Sequence, residues 1–136
     1  MRSIQAISRT AAIAVAAVLA LSSLSGCGQA ATSPYVFSTS AAEIDMDGDP
    51  VVDVRLTRDG KPVENAVIFE TRFDMGPDGM GEMAAEVTPQ GSPSPGVYRF
   101  AVKPMMGGRW ELKLGAKVQG EAETVRGSVI VTAHRQ

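Results

Sequence analysis

Cysteine, histidine and tryptophan each occur once in the 136 residues. A single cysteine excludes an intrachain disulfide, so any folded domain must hold together on its apolar core alone. One histidine and no second thiol leave little from which to assemble a hydrolase triad or a His/Cys metal cluster. No GxSxG, paired-histidine or phosphate-loop motif occurs either. Catalysis is therefore not expected. Basic charge is also short, with 13 Lys+Arg against 15 Asp+Glu. That balance argues against nucleic acid or anionic lipid as a partner. Apolar runs are short as well. The main one, residues 11–21, is too brief and too alanine-rich to span a membrane.

That run sits in a recognisable context. Arg2 and Arg9 precede it, and small residues follow at once, the layout of an export signal. Leu24-Ser25-Gly26-Cys27 then resembles the bacterial lipobox, in which a peptidase cuts before a cysteine that carries diacylglycerol. Residues 1–26 are expected to be a cleaved signal peptide and Cys27 the lipidation site. Lipidation also accounts for an otherwise unpaired thiol in an exported chain. Gly28 rather than Asp follows the cysteine, which by resemblance to Gram-negative sorting favours the outer membrane, with the domain facing the periplasm. Arg2 and Arg9 leave with the signal, so 11 basic residues remain against 15 acidic ones and the mature charge is −4. Residues 27–40, small and polar, read as a flexible tether, and residues 41–136 as one domain.

Beyond the tether, alternation with period two dominates. Val52, Val54 and Leu56 alternate with Asp53, Arg55 and Thr57, and Asp59-Gly60 marks a turn. Residues 66–73 form a second strand, with Val67, Phe69 and Phe73 expected on one face. Residues 82–88 form a weaker one. Tyr98, Phe100 and Val102 alternate next, then Trp110, Leu112 and Leu114, then Val125, Val129 and Val131. With a first strand somewhere in residues 35–44, about seven short strands emerge. The expected fold is all-β, an immunoglobulin-like antiparallel β-sandwich, with Trp110 and Tyr98 in its core.

Six methionines survive signal cleavage: Met46, Met75, Met80, Met83, Met105 and Met106. All lie in glycine-, proline- or aspartate-rich segments, outside the well-alternating strands. Successive antiparallel strands run up and down, so alternate connections emerge at one end. Counting strands places all six at a single pole, together with His134. Thioethers are soft ligands that select Cu(I) or Ag(I). Three readings stay open: methionines closing one end of the core, a soft-metal site, or a protein-docking patch. Asp45, Asp47 and Asp49 superficially resemble a calcium loop. Their glycine is misplaced for an EF-hand and no bidentate Glu follows, so a polar turn is expected.

Several segments together resemble YtkA-like (FixH-like) domains. They are Asp53-Val54-Arg55-Leu56-Thr57 with Asp59-Gly60-Lys61-Pro62-Val63, the stretch from Asp74 to Met83, Pro95-Gly96-Val97-Tyr98, and Met105-Met106-Gly107-Gly108-Arg109-Trp110. The resemblance covers roughly residues 49–131. It implies small exported or membrane-anchored β-sandwiches, some associated with heavy-metal efflux or cation-pump maturation, and it supplies no catalytic residues. The expected function is an envelope lipoprotein that binds Cu(I) or Ag(I) through its Met-rich loops, or assists an efflux system. The alternative is a non-metal docking or structural module of the envelope, using Met and Trp side chains at the same pole. Expected partners are the membrane, through the lipid on Cys27, and an efflux or other envelope protein.

Overall fold

A computed structural model describes residues 33–136; the expected signal peptide and Cys27 lie outside the described residues. Ten strands form two five-stranded sheets. In chain order they are β1 (Tyr35–Thr39), β2 (Glu43–Asp45), β3 (Val51–Arg58), β4 (Lys61–Pro62), β5 (Val67–Met75), β6 (Met80–Ala85), β7 (Val87–Pro89), β8 (Val97–Val102), β9 (Gly108–Lys117) and β10 (Val125–His134). One sheet has the order β1-β3-β8-β7, with β4 against β3. The other has the order β2-β10-β9-β5-β6. This is the strand arrangement of an immunoglobulin-like sandwich.

The alternating strands behave as their sequence demands. Val52, Val54 and Leu56 of β3 and Phe100 and Val102 of β8 are buried, as are Trp110, Leu112 and Leu114 of β9 and Val129 and Val131 of β10. Their alternate neighbours are exposed or half-buried, because successive side chains of a strand point to opposite faces. Asp59 and Gly60 both take positive φ, 50° and 79°, the combination a tight hairpin turn between β3 and β4 requires. At the same pole the Tyr98 hydroxyl donates to the Val63 carbonyl at 2.8 Å and accepts the Ala66 N–H at 3.0 Å. The phenol thereby fixes the connection that carries the chain from one sheet to the other.

Three local expectations give way. The first strand begins at Tyr35, inside the stretch read as tether, and it breaks at residues 40–42. Its two parts join different sheets: β1 pairs antiparallel with β3, and β2 pairs parallel with β10. The weak strand over residues 82–88 divides in the same way, β6 lying on β5 and β7 on β8. The third concerns β5. Val67 and Phe69 were expected inward with Phe73, yet they are 63% and 52% exposed while Phe73 is fully buried. The β5–β9 register slips between Ile68 and Glu70. This bulge inserts one residue and reverses the parity of everything before it, so Ile68 faces the core instead.

Candidate functional site

The Met-bearing segments meet at one pole. Met46 donates its N–H to the carbonyl of His134 at 2.9 Å. The segment after β5 folds into a 3-10 turn over Gly76–Asp78, opened by Pro77 and closed by Gly79 in the left-handed region. Against this turn lies the start of β9. Asp78 accepts the Arg109 backbone N–H at 2.7 Å and the Arg109 Nε at 2.8 Å, and the Pro77 carbonyl accepts the Arg109 Nη2 at 2.8 Å. These donors hold the Asp78 carboxyl below the usual range, the backbone N–H contributing most and the guanidinium next.

Gly108 permits this approach. With φ at 141°, it sits where a Cβ would lie 2.5 Å from the Met75 methyl and 2.8 Å from an Asp78 carboxylate oxygen. Any side chain there would part the two loops. Its neighbour Gly107 packs on the Ala133 carbonyl, close to His134, so the end of β10 completes the cluster. The strand count survives the splitting of two strands because β1 with β2, and β6 with β7, each make a single passage across the sandwich. Each changes sheet without changing direction.

Within that pole the methionines play different parts. Met75, expected as a loop ligand, is the last residue of β5 and only 1% exposed; it faces inward like Phe73 and belongs to the core. Met80 and Met83 lie in strand β6, not in an irregular loop. Met46 and Met83 are half-buried and pack against the core. Met80, Met105 and Met106 are exposed, at 37%, 63% and 41%. The pole therefore divides into an inner methionine that closes the core and outer thioethers facing solvent. Trp110 is fully buried, stacked on Phe73 with ring centroids 4.9 Å apart, and donates its indole N–H to the Met106 carbonyl at 3.1 Å. It braces the 105–107 loop from beneath and offers no surface to a docking partner.

Asp74 escaped sequence reasoning, since nothing separates it from the loop aspartates around it. It is 1% exposed, yet it lies beside Met75 on the outer side of β5. One carboxylate oxygen accepts Arg72 Nε at 2.7 Å and Lys113 Nζ at 2.9 Å; the other accepts the Gly76 N–H at 3.0 Å. Desolvation is the largest single influence and pushes its pKa up. The bonds from Lys113, Arg72 and Gly76 together outweigh it and hold the carboxyl below its ordinary value. Asp74 thus sets the start of the turn that positions Asp78. The Asp45-Met46-Asp47 segment is a polar turn: Asp45 accepts the Asp47 N–H at 2.9 Å, and Asp47 pairs with Arg135 at 3.3 Å. Among the described residues no three His, Cys, Asp or Glu side chains come together as a metal cluster.

Among solved structures, the ZirS C-terminal domain is similar at 10% identity and a TM-score of 0.46, over 98% of this chain and 83% of that one. No curated protein matches the chain. Residues 30–115, from just before β1 into β9, match the YtkA-like family, and the chain belongs to that family.

Proposed function

We propose that the protein is an envelope lipoprotein that binds a soft metal ion, Cu(I) or Ag(I), at its methionine-bearing pole, or hands such an ion to an efflux system. The observation that carries this reading is the solvent exposure of Met80, Met105 and Met106 on neighbouring segments of one pole. Exposed apolar side chains normally cost solubility, whereas a thioether open to solvent can serve as a soft donor. Met83 and Met46, half-buried beside them, are candidate inner donors. Met75 is assigned to packing. The ligand set proposed here is therefore narrower than the full list of six.

The Arg109–Asp78 pair and the Trp110–Met106 bond keep the loops in place without a ligand, which lowers the ordering cost of binding. Residue 33 enters the domain at the opposite pole, where Tyr35 pairs with Arg58. A lipid on Cys27 would therefore anchor the domain by the end remote from the methionines.

The test is a titration with Cu(I) against a competing chelator. The chain should hold the ion, and a variant with Met80, Met105 and Met106 changed to Leu should not. Equal affinity in the two proteins ends the proposal. Trp110, the only tryptophan, supplies an internal signal, because its indole is bonded to the Met106 carbonyl. The second reading is a metal-free docking module. It is favoured by Val67 and Phe69, which stand exposed on β5 away from the methionines. Recovery of one envelope partner whose binding is lost on Phe69→Ser and indifferent to chelators would support it.

A further inference from the structure

The exposed methionines have a second chemistry that metal binding does not use. Peroxide transfers an oxygen atom to a thioether: the sulfur lone pair attacks, the O–O bond breaks and an S–O bond forms. The hydroxyl proton passes to the departing hydroxide, which leaves as water. Sulfur is oxidised by two electrons to the sulfoxide and peroxide is reduced to water. The reaction needs the sulfur to meet the oxidant, so burial decides where it occurs. We infer that Met80, Met105 and Met106 form an oxidation-sensitive set at this pole, with hydrogen peroxide or a related peroxide as oxidant, and that Met75 is spared.

The contrast within one pole is steep. Met105 is 63% exposed and Met75 only 1%, although the Met75 methyl group lies against Gly108, three residues along the chain from Met105. Gly108 packs directly on the Met75 methyl, with Asp78 of the 3-10 turn beside it. The Trp110 bond goes to the Met106 backbone carbonyl, and Met106 remains 41% exposed. The consequence rests on the function proposed above. A sulfoxide presents a polar oxygen where a soft sulfur stood, and it no longer suits Cu(I) or Ag(I). The site is then closed by oxidation while the core, held by Met75, Phe73 and Trp110, stays folded.

The experiment treats the full chain with hydrogen peroxide and follows each methionine by peptide mapping with fragmentation to single residues. Met105, Met106 and Met80 should convert before Met46 and Met83, with Met75 last. In urea these six should convert at similar rates. Oxidation of Met75 as fast as Met105 in the folded chain overturns the inference. A parallel titration uses Ag(I) after residual peroxide has been removed, in a chain carrying Cys27→Ala so that no thiol competes. The intact chain should bind it, the oxidised chain should have lost that binding, and methionine sulfoxide reductase should restore it. Equal Ag(I) binding before and after oxidation overturns the closing of the site while leaving the function standing. An intact chain that never binds Ag(I) sinks the proposed function, and the order of oxidation is then judged on its own.

Discussion

The Phe37 ring of β1 occupies the place a Cβ at Gly127 of β10 would take, bridging the two sheets through a gap that the missing Cβ provides. Val125, Val129 and Val131 flank that glycine on the same inward face, so the strand gives up one side chain to admit a ring from the opposite sheet. Gly127→Ala should therefore destabilise the domain, by about 1–3 kcal/mol as for other overpacked cores. Urea unfolding checks it. The double change with Phe37→Leu should recover part of the loss, because a smaller side chain reopens the gap.

Asp74 should contribute to the acid sensitivity of the fold. Its folded-state pKa lies below the unfolded value, as do those of Asp53, held chiefly by its hydrogen bonds to Arg99, and Asp78. A depressed carboxyl contributes stability that is fully present above its unfolded pKa and lost as pH falls through the folded one. Stability should thus be flat above about pH 5 and decline below it. Asp74→Asn should lower stability at neutral pH by about 1–3 kcal/mol, since it weakens three bonds to a buried group. It should also shrink the decline at acid pH. Denaturation followed at several pH values distinguishes this from a general loss, in which the two curves would stay parallel.

Asp78 and Arg109 should matter to the pole more than to the fold. The Arg109 side chain is 58% exposed and that of Asp78 26%, and an ion pair open to solvent on one side adds little to stability. Together they clamp the turn after β5 to the start of β9. Asp78→Asn should leave the melting temperature close to that of the parent and weaken Ag(I) binding. A large drop in melting temperature with unchanged affinity would show the pair to be structural only.

Cys27→Ala tests the proposed anchor. The variant should keep its signal, giving a longer and less membrane-attached product, whereas the parent should carry several acyl chains, since a single chain holds a protein to a bilayer only marginally. Identical mature masses and fractionation would dismiss the lipoprotein assignment.

Much of this architecture is legible in the sequence because it rests on alternation. The inward residues of β3, β8, β9 and β10 follow from period two alone, and the shared pole follows from counting passages across the sandwich. What is not legible arises where one residue changes the count. The bulge at Phe69 cannot be told from regular alternation, because it is a slip in pairing with β9. Met75 looks like its loop neighbours, yet two residues after Phe73 it still obeys the inward parity of β5. Asp74 is buried beneath Arg72, its neighbour on β5, and Lys113, a partner set by the pairing of β5 with β9 and hidden from local composition. The breaks in the first strand and in residues 82–88 depend on which sheet each half can reach. A linear pattern does not record that choice.

The switch of sheet between β1 and β2 also has a mechanical meaning. The chain enters at one pole beside Arg58 and finishes at the other beside Met46. The first passage is bonded to β3 in one sheet and, in parallel, to the final strand in the other. A pull that draws residue 33 and the C-terminus apart therefore runs along these strands and not across them. The hydrogen bonds of β1 and β2 are loaded sideways and all at once, so they cannot open one after another like a zip. Under the anchor proposed at Cys27, this geometry would resist drag on anything bound at the opposite pole.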